Sequence, residues 1–279
     1  MPKIIDGKAL AEEIQAELTK EITAKKLNPN LAVVLVGNDP ASRLYVGLKK
    51  KACQKIGIAF HEYLLAADSS ETKVLETINF LNNDSEIDAI LVQLPLPAGL
   101  DTDKIVSAID PTKDVDGFHA KNIEKFLAQQ TDFIPGLPLG IIKLIKSTGE
   151  NLNGKKAVIV AKSQILYRPL AKLLNDQDVV TEIVSPTEKS LKDKTLTADI
   201  LITAIGKAFA ITEEMVKDGA IVIDVGTNKI DDKYTVGDVD YSGVFEKVSH
   251  ITPVPGGVGP MTVAMLLYNT VKLAERNKK

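Results

Sequence analysis

Twice along this chain, short and nearly unbroken apolar runs alternate with stretches of helical periodicity, and that alternation admits few folds. Strands that are apolar on both faces belong to parallel sheets covered by helices on each side. In the first series, Leu10, Ile14, Leu18 and Ile22 recur four apart, on one face of a helix from Asp6 to about Lys25. "NLAVVLVGNDP" then reads as a strand ended by turn residues. Helices near 41–56, 71–81 and 102–108 alternate with strands at 61–66 and in "DAILVQLPLP". The second series begins after "PTKDVDGFHA" with a helix over 139–147, the strand 156–160 and a helix opening near Pro169. The strands "DVVTEIV", "ADILITAIG" and "AIVIDVG" follow, the last preceded by a helix near 213–217. A run of short parallel strands of this kind is expected of a Rossmann-type unit.

The final helix, "PMTVAMLLYNTVKLAERN", carries Pro260 in its first turn and a long apolar stripe, which predicts that it returns to the first series. The expected organisation is therefore two α/β domains with a ligand cleft between them. Residues 1–120, completed by 260–279, form one, and 121–259 form the other. With 279 residues, 44% of them hydrophobic, the chain has enough apolar material for two cores. A net charge of −3 argues against nucleic acid as a partner, because phosphate binding draws on a concentrated basic surface. The one dense basic run, "LKKKACQK", is equally well read as the solvated face of a helix. No apolar run approaches the about 20 residues of a membrane span, and "MPKIIDGKAL" lacks the pattern of a signal peptide, so a cytoplasmic protein is expected. A lone cysteine, Cys53, fits a reducing compartment, and His61, His119 and His250 lie too far apart for ligand spacing; no metal is expected.

Four segments carry residue types suited to chemistry. "SRLYVGLKKKA" places Tyr45 and Lys49 four apart on one side of a helix. Like-charge neighbours and partial burial would favour the neutral amine that a base requires, although a surface lysine gives the same pattern. "LVQLPLP" puts Gln93 at the carboxyl end of a parallel strand, where open α/β sheets bind ligands, or where a polar residue merely satisfies backbone groups. "KDVDGFH" offers Asp114 and Asp116 before Gly117; Asp-Gly is commonly only a turn, but a carboxylate there can accept paired hydrogen bonds from an amidine-like N–H pair. "TPVPGGVGPMT" fixes its backbone with prolines and glycines, for close approach to a ligand or for a tight turn.

Together with "ADILITAIGK", "GAIVIDVGTN" and "VGDVD", these segments resemble, in order and over essentially the whole chain, the bifunctional methylenetetrahydrofolate dehydrogenase/methenyltetrahydrofolate cyclohydrolase (FolD) family. The resemblance implies that Lys49 handles the proton of the cyclohydrolase step, with Gln93 hydrogen-bonded to it. It further implies that Tyr45 stacks on the aminobenzoyl part of a folate, that Asp116 binds the pterin edge, and that Pro255 and Gly256 line the same pocket. NADP would be the cofactor, with Lys162, Ser163, Ser185, Gly206 and Thr227 as binding residues. One-carbon derivatives of tetrahydrofolate would be the ligands and a homodimer the assembly. The implied setting is one-carbon metabolism serving purine, methionine and histidine biosynthesis.

The departures from the family pattern fall almost entirely on the dinucleotide side. Ala161, Lys162 and Ser163 stand where the family reads Gly-Arg-Ser, and Tyr167 stands at a family glycine. Lys162 keeps a positive charge for a 2′-phosphate but lacks the bidentate fork of arginine. Leu137 replaces a hydroxyl residue, Val184 a common histidine, and "NxG" reads Asn122-Ile123-Glu124. The primary expectation is a bifunctional enzyme with weakened NADP affinity. The alternatives are a cyclohydrolase alone, its dehydrogenase activity lost through Ala161 and Tyr167, or a silent paralogue serving as a scaffold.

Overall fold

The structure is a computed structural model that describes residues 3–231 and 234–277; positions 1, 2, 232, 233, 278 and 279 of the expected domain ranges lie outside the described residues. From the N-terminal side the chain runs β1 (Lys3–Ile4), α1 (Gly7–Lys25), β2 (Asn30–Val36), α2 (Pro40–Ile56), β3 (Ala59–Leu65), α3 (Glu71–Asn83) and β4 (Ala89–Val92). Helices α4 (Thr102–Ser107), α5 (Ala120–Leu127) and α6 (Gly136–Ser147) come next. Then follow β5 (Lys156–Ala161), α7 (Gln164–Asn175), β6 (Val180–Val184), α8 (Leu191–Thr195), β7 (Ile200–Ala204) and β8 (Ile221–Asp224). The hairpin β9 (Asn228–Ile230) and β10 (Tyr234–Val236), then α9 (Tyr241–Val244), β11 (His250–Ile251) and α10 (Val258–Asn277), complete the chain.

The chain divides into two compact units, one of residues 13–136 and 263–277, the other of 3–12 and 137–262. In the first, β2 lies between β3 and β4 in a parallel three-stranded sheet, with Val34 opposite Val92. Residues 31–36 of β2 are all buried, as the unbroken apolar run predicts. Val74, Ile78 and Leu81 of α3 and Ile105 of α4 pack on Ala32, Val34 and Ile90. Helix α2 starts sharply because Asp39 accepts the Ser42 N–H (2.7 Å) and Pro40 presets the first turn. It ends at Gly57, whose φ of 86° suits a residue without a Cβ. The Lys113 ammonium donates to the carbonyls of Leu81 (3.0 Å) and Asp84 (2.6 Å), satisfying the open end of α3.

The second unit holds a six-stranded sheet in the order β1-β11-β8-β7-β5-β6, in which every named pairing is parallel. Three differences from the sequence reading stand out. Residues 3–12 group with this sheet because β1 pairs with β11, Ile4 opposite Ile251. Residues 121–136 group with the first unit, where Asn122 donates to the Pro111 carbonyl (2.8 Å). Helix α7 opens at Gln164, not near Pro169, because the N–H groups of Leu166 and Tyr167 already bond to the Ser163 carbonyl (both 3.1 Å). Pro169 sits inside that helix, giving up only the bond that its own missing N–H would have made.

His250 lies between β1 and β8, 5% exposed, and its Nε2 has no hydrogen-bond partner. Burial holds its imidazole below the usual histidine range, opposed by Glu150 and reinforced by Lys3 and Lys155. The folded state therefore prefers the neutral ring. Its contribution is fully present above the unfolded histidine pKa, about 6.5, and is lost as the pH falls through and below that value. The expected result is a melting temperature that falls from about pH 7 to about pH 5, with part of that fall removed in His250→Asn; an identical slope in the variant would contradict it.

Candidate active site

In the first unit the geometry is built on α2 and the end of β4. Lys49 follows Tyr45 by one turn of α2, so the two side chains share a face. The Tyr45 residue is 44% exposed and offers its ring to solvent, whereas the Lys49 amine is drawn inward. Lys49 Nζ donates to Gln93 Oε1 at 2.9 Å. Gln93 is itself buried; its Nε2 donates to the Leu94 carbonyl (2.5 Å) and its backbone N–H to the Val34 carbonyl (2.9 Å). Those bonds fix which end of the amide faces the amine. Burial pushes the Lys49 ammonium below the usual lysine range, against the pull of Asp116. Among the described residues no carboxylate is hydrogen-bonded to this amine; Gln93 is neutral and leaves the charged form without a directly bonded counter-ion.

Asp116 supplies the second polar group. Burial raises its carboxyl to about 6, with Lys49 lowering it and Asp114 adding to the rise. The loop that carries it is held from three sides. Asp114, 2% exposed, accepts hydrogen bonds from the N–H groups of Gly117 (3.2 Å) and His119 (2.9 Å) and from Asn122 Nδ2 (2.9 Å). Gly117, at φ 74°, has no room for a side chain, because a Cβ would lie 2.8 Å from Pro135 Cα. Asn269 of α10 donates to the carbonyls of Val115 (2.9 Å) and Ile134 (3.3 Å), and the Gly136 N–H donates to the Asp116 carbonyl (3.1 Å). Cys53, one turn after Lys49, is buried with its thiol pushed up to about 12, which makes it an inert packing residue.

Sequence reasoning did not nominate Asp114, Asn122 or Asn269 as holders of this loop. The signal for Asn269 was a single amide interrupting the apolar stripe of the last helix; the signal for Asn122 was its place just after the Asp-Gly turn.

In the second unit the nominated residues gather by topology. Because the strands are parallel, the segments that follow them emerge at one end of the sheet. Lys162 and Ser163 follow β5, Ser185 follows β6, Gly206 follows β7, Thr227 follows β8, and Pro255 and Gly256 follow β11. Lys162, Ser163, Ser185, Gly206, Thr227 and Pro255 are exposed. Gly206 adopts φ 73°, and the space where its Cβ would stand is open. Tyr167 is half-buried in the first turns of α7. Among the described residues no group of three or more His, Cys, Asp or Glu side chains could hold a metal ion, and no helix is long and apolar enough to cross a membrane.

These features define an α/β protein with a Rossmann-type dinucleotide-binding unit and a separate unit bearing a buried amine beside a raised carboxyl. The family described as tetrahydrofolate dehydrogenase/cyclohydrolase matches twice: its catalytic domain over residues 5–116 and its NAD(P)-binding domain over residues 135–278. The bifunctional protein FolD of Acetivibrio thermocellus is 45% identical, covering 99% of this chain and 98% of that protein. Among solved structures, the bifunctional enzyme FolD of Campylobacter jejuni is 43% identical with a TM-score of 0.94, covering 99% of each chain. The FolD of Trypanosoma brucei, complexed with NADP cofactor and inhibitor, is 32% identical, also with a TM-score of 0.94, over 100% of this chain and 99% of that one. The chain belongs to the tetrahydrofolate dehydrogenase/cyclohydrolase family. A cyclohydrolase acting alone gains no support, since the relatives named bifunctional match over their full length.

Asn269→Leu leaves two buried carbonyls without their donor. It is expected to destabilise the protein by about 1–3 kcal/mol in urea unfolding; a loss within a few tenths would show that these bonds do not hold the loop.

Proposed function

We propose that the protein oxidises 5,10-methylenetetrahydrofolate to 5,10-methenyltetrahydrofolate with NADP⁺ and hydrolyses the methenyl compound to 10-formyltetrahydrofolate. The observation that carries the reading is the Lys49–Gln93 contact, which holds an amine whose charged form burial disfavours and Asp116 favours. The methenyl carbon bears a delocalised positive charge and is open to attack by water. As the water oxygen bonds to that carbon, a neutral Lys49 takes the proton that the water loses; the bond from the carbon to N5 then breaks, with a proton passing to N5 and the formyl group left on N10, while Gln93 keeps the amine oriented without stabilising its charged form as a carboxylate would. Asp116 accepts the paired N–H groups of the pterin edge, and Tyr45 stacks on the aminobenzoyl ring.

The cofactor assignment draws on the match to the NAD(P)-binding domain and on the NADP complex of the Trypanosoma brucei relative. Exposed turns at the carboxyl end of a parallel sheet, one of them a glycine with open space above it, fit a dinucleotide. Lys162, Ser163, Ser185, Gly206 and Thr227 would hold it. NADP⁺ held there would supply the hydride acceptor for oxidation of the methylene carbon. Lys162 offers a point charge in place of an arginine fork, and Ala161 and Tyr167 add bulk near the turn after β5, so the affinity for NADP is lowered. We assign the folate chemistry to residues 13–136 with 263–277 and cofactor binding to 3–12 with 137–262. A cytoplasmic homodimer without a metal, supplying one-carbon units for purine, methionine and histidine biosynthesis, completes the reading.

Formation of NADPH from methylenetetrahydrofolate tests the dehydrogenase half; its absence would overturn the bifunctional assignment. Lys49→Ala is expected to slow the decay of methenyltetrahydrofolate absorbance, corrected for spontaneous hydrolysis, by about 100-fold or more. An unchanged rate would remove Lys49 from the chemistry. Tyr167→Gly is expected to lower the KM for NADP⁺; an equal or higher value would show that the ring does not obstruct the cofactor.

A further inference from the structure

Two motifs of the second unit, "IDVGTN" and "VGDVD", each contain a buried carboxylate that the proposed chemistry does not use, Asp224 and Asp238. Asp224 closes β8 and Asp238 lies just beyond β10; they are 3% and 0% exposed. Among the described residues neither is paired with a lysine or arginine; backbone N–H groups do most of the work of a counter-ion. Asp238 accepts hydrogen bonds from three successive N–H groups, those of Ile205 (2.5 Å), Gly206 (3.1 Å) and Lys207 (3.0 Å), and from Asn228 Nδ2 (3.0 Å). Consecutive N–H groups converging on one point form a nest that ordinarily binds an anion from outside. Here the anion is the protein's own carboxylate.

Asp224 holds the segment that delivers it. Its carboxylate accepts from the N–H groups of Gly226 (2.9 Å), Asp238 (3.0 Å) and Val239 (2.9 Å), and burial pushes it up to about 6. Both glycines of the motifs follow from this interlock. A Cβ at Gly226 would fall 2.4 Å from the Asp238 carboxyl carbon, and one at Gly237 would fall 1.8 Å from Asp224 Oδ2. The interlocked carboxylates thus tie the turn after β7 to the segment 225–228 after β8, which includes Gly206 and Thr227. The N–H of Gly206 is consumed inward, so this turn meets a ligand with its bare, open Cα face.

We propose that Asp238 is a positioning residue for the dinucleotide: it fills the nest at 205–207 and so sets the turns after β7 and β8 against the bound cofactor. This rests on the reading that the second unit binds NADP⁺. The charge matters, because a carboxylate accepts from every facing donor, whereas an amide must turn one N–H pair toward another donor.

The test compares both activities and NADP⁺ binding by calorimetry in the whole protein, for the wild type, Asp238→Asn and the milder Asn228→Ala. For Asp238→Asn the expected result is an about tenfold or greater rise in the KM and Kd for NADP⁺, with methenyltetrahydrofolate hydrolysis in the same preparation changed by less than about twofold. Asn228→Ala, which removes one donor, is expected to raise the same constants a few-fold, and it decides the matter if Asp238→Asn does not fold. An unchanged NADP⁺ constant in a folded variant overturns the proposal, as does a parallel fall of both activities. A wild type that binds no NADP⁺ overturns instead the cofactor assignment on which the proposal rests.

Discussion

Taking the Lys49 amine out of water is the constraint on which the first unit's chemistry depends. An ammonium in a poorly solvated place is costly, and a protein lowers that cost either by pairing the charge or by letting the proton go. A directly bonded carboxylate would have done the former. Here the bonded group is an amide, locked in orientation by the Leu94 carbonyl and by its strand's bond to Val34, so burial shifts the amine toward the second outcome. Asp116 pulls the other way, favouring the charged amine, yet burial raises its own carboxyl, so the charge that opposes deprotonation of Lys49 is itself disfavoured. The residues that never approach the amine, Asp114, Asn122 and Asn269, matter because they fix where that opposing carboxyl stands.

The second unit solves a related problem with different means. Its parallel sheet delivers every post-strand segment to one end, and its two buried carboxylates are neutralised largely by backbone N–H groups. Multiple N–H donors can hold a carboxylate in a dry interior, provided that the backbone can wrap it closely. The glycines at 226 and 237 allow that wrapping, and their positions are unforgiving because the nearest atoms are the carboxyl groups themselves.

Much of this was legible in the residues. The period of four that joins Tyr45 to Lys49 is a property of any helix, and the unbroken apolar run of β2 could hardly be anything but a buried strand. Gln93 was readable as a strand end, but its contact with Lys49 spans 44 positions and depends on how α2 packs beside β4, which no local pattern encodes. The same holds for Asn269, whose bond to Val115 spans 154 positions. Strand β1 escaped notice because two residues carry no periodicity; its partner β11 is equally short. Pro169 misdirected the start of α7, since a proline is read as a helix opener when it can also be carried inside. Asp238 gave no signal of its own in the sequence, where an acidic side chain beside glycine is normally solvated; only the three-dimensional path shows the nest closing around it.

The central claim is that the Lys49 side chain loses its proton more readily than an ordinary lysine. Following the titration of its ε-carbon by NMR, with Lys49→Arg to assign the signal, tests that directly. The account predicts a pKa below the ordinary lysine value of about 10.4, falling further in Asp116→Asn as the opposing charge is removed. A Lys49 that titrates at or above the ordinary value, in both the wild type and that variant, would contradict it.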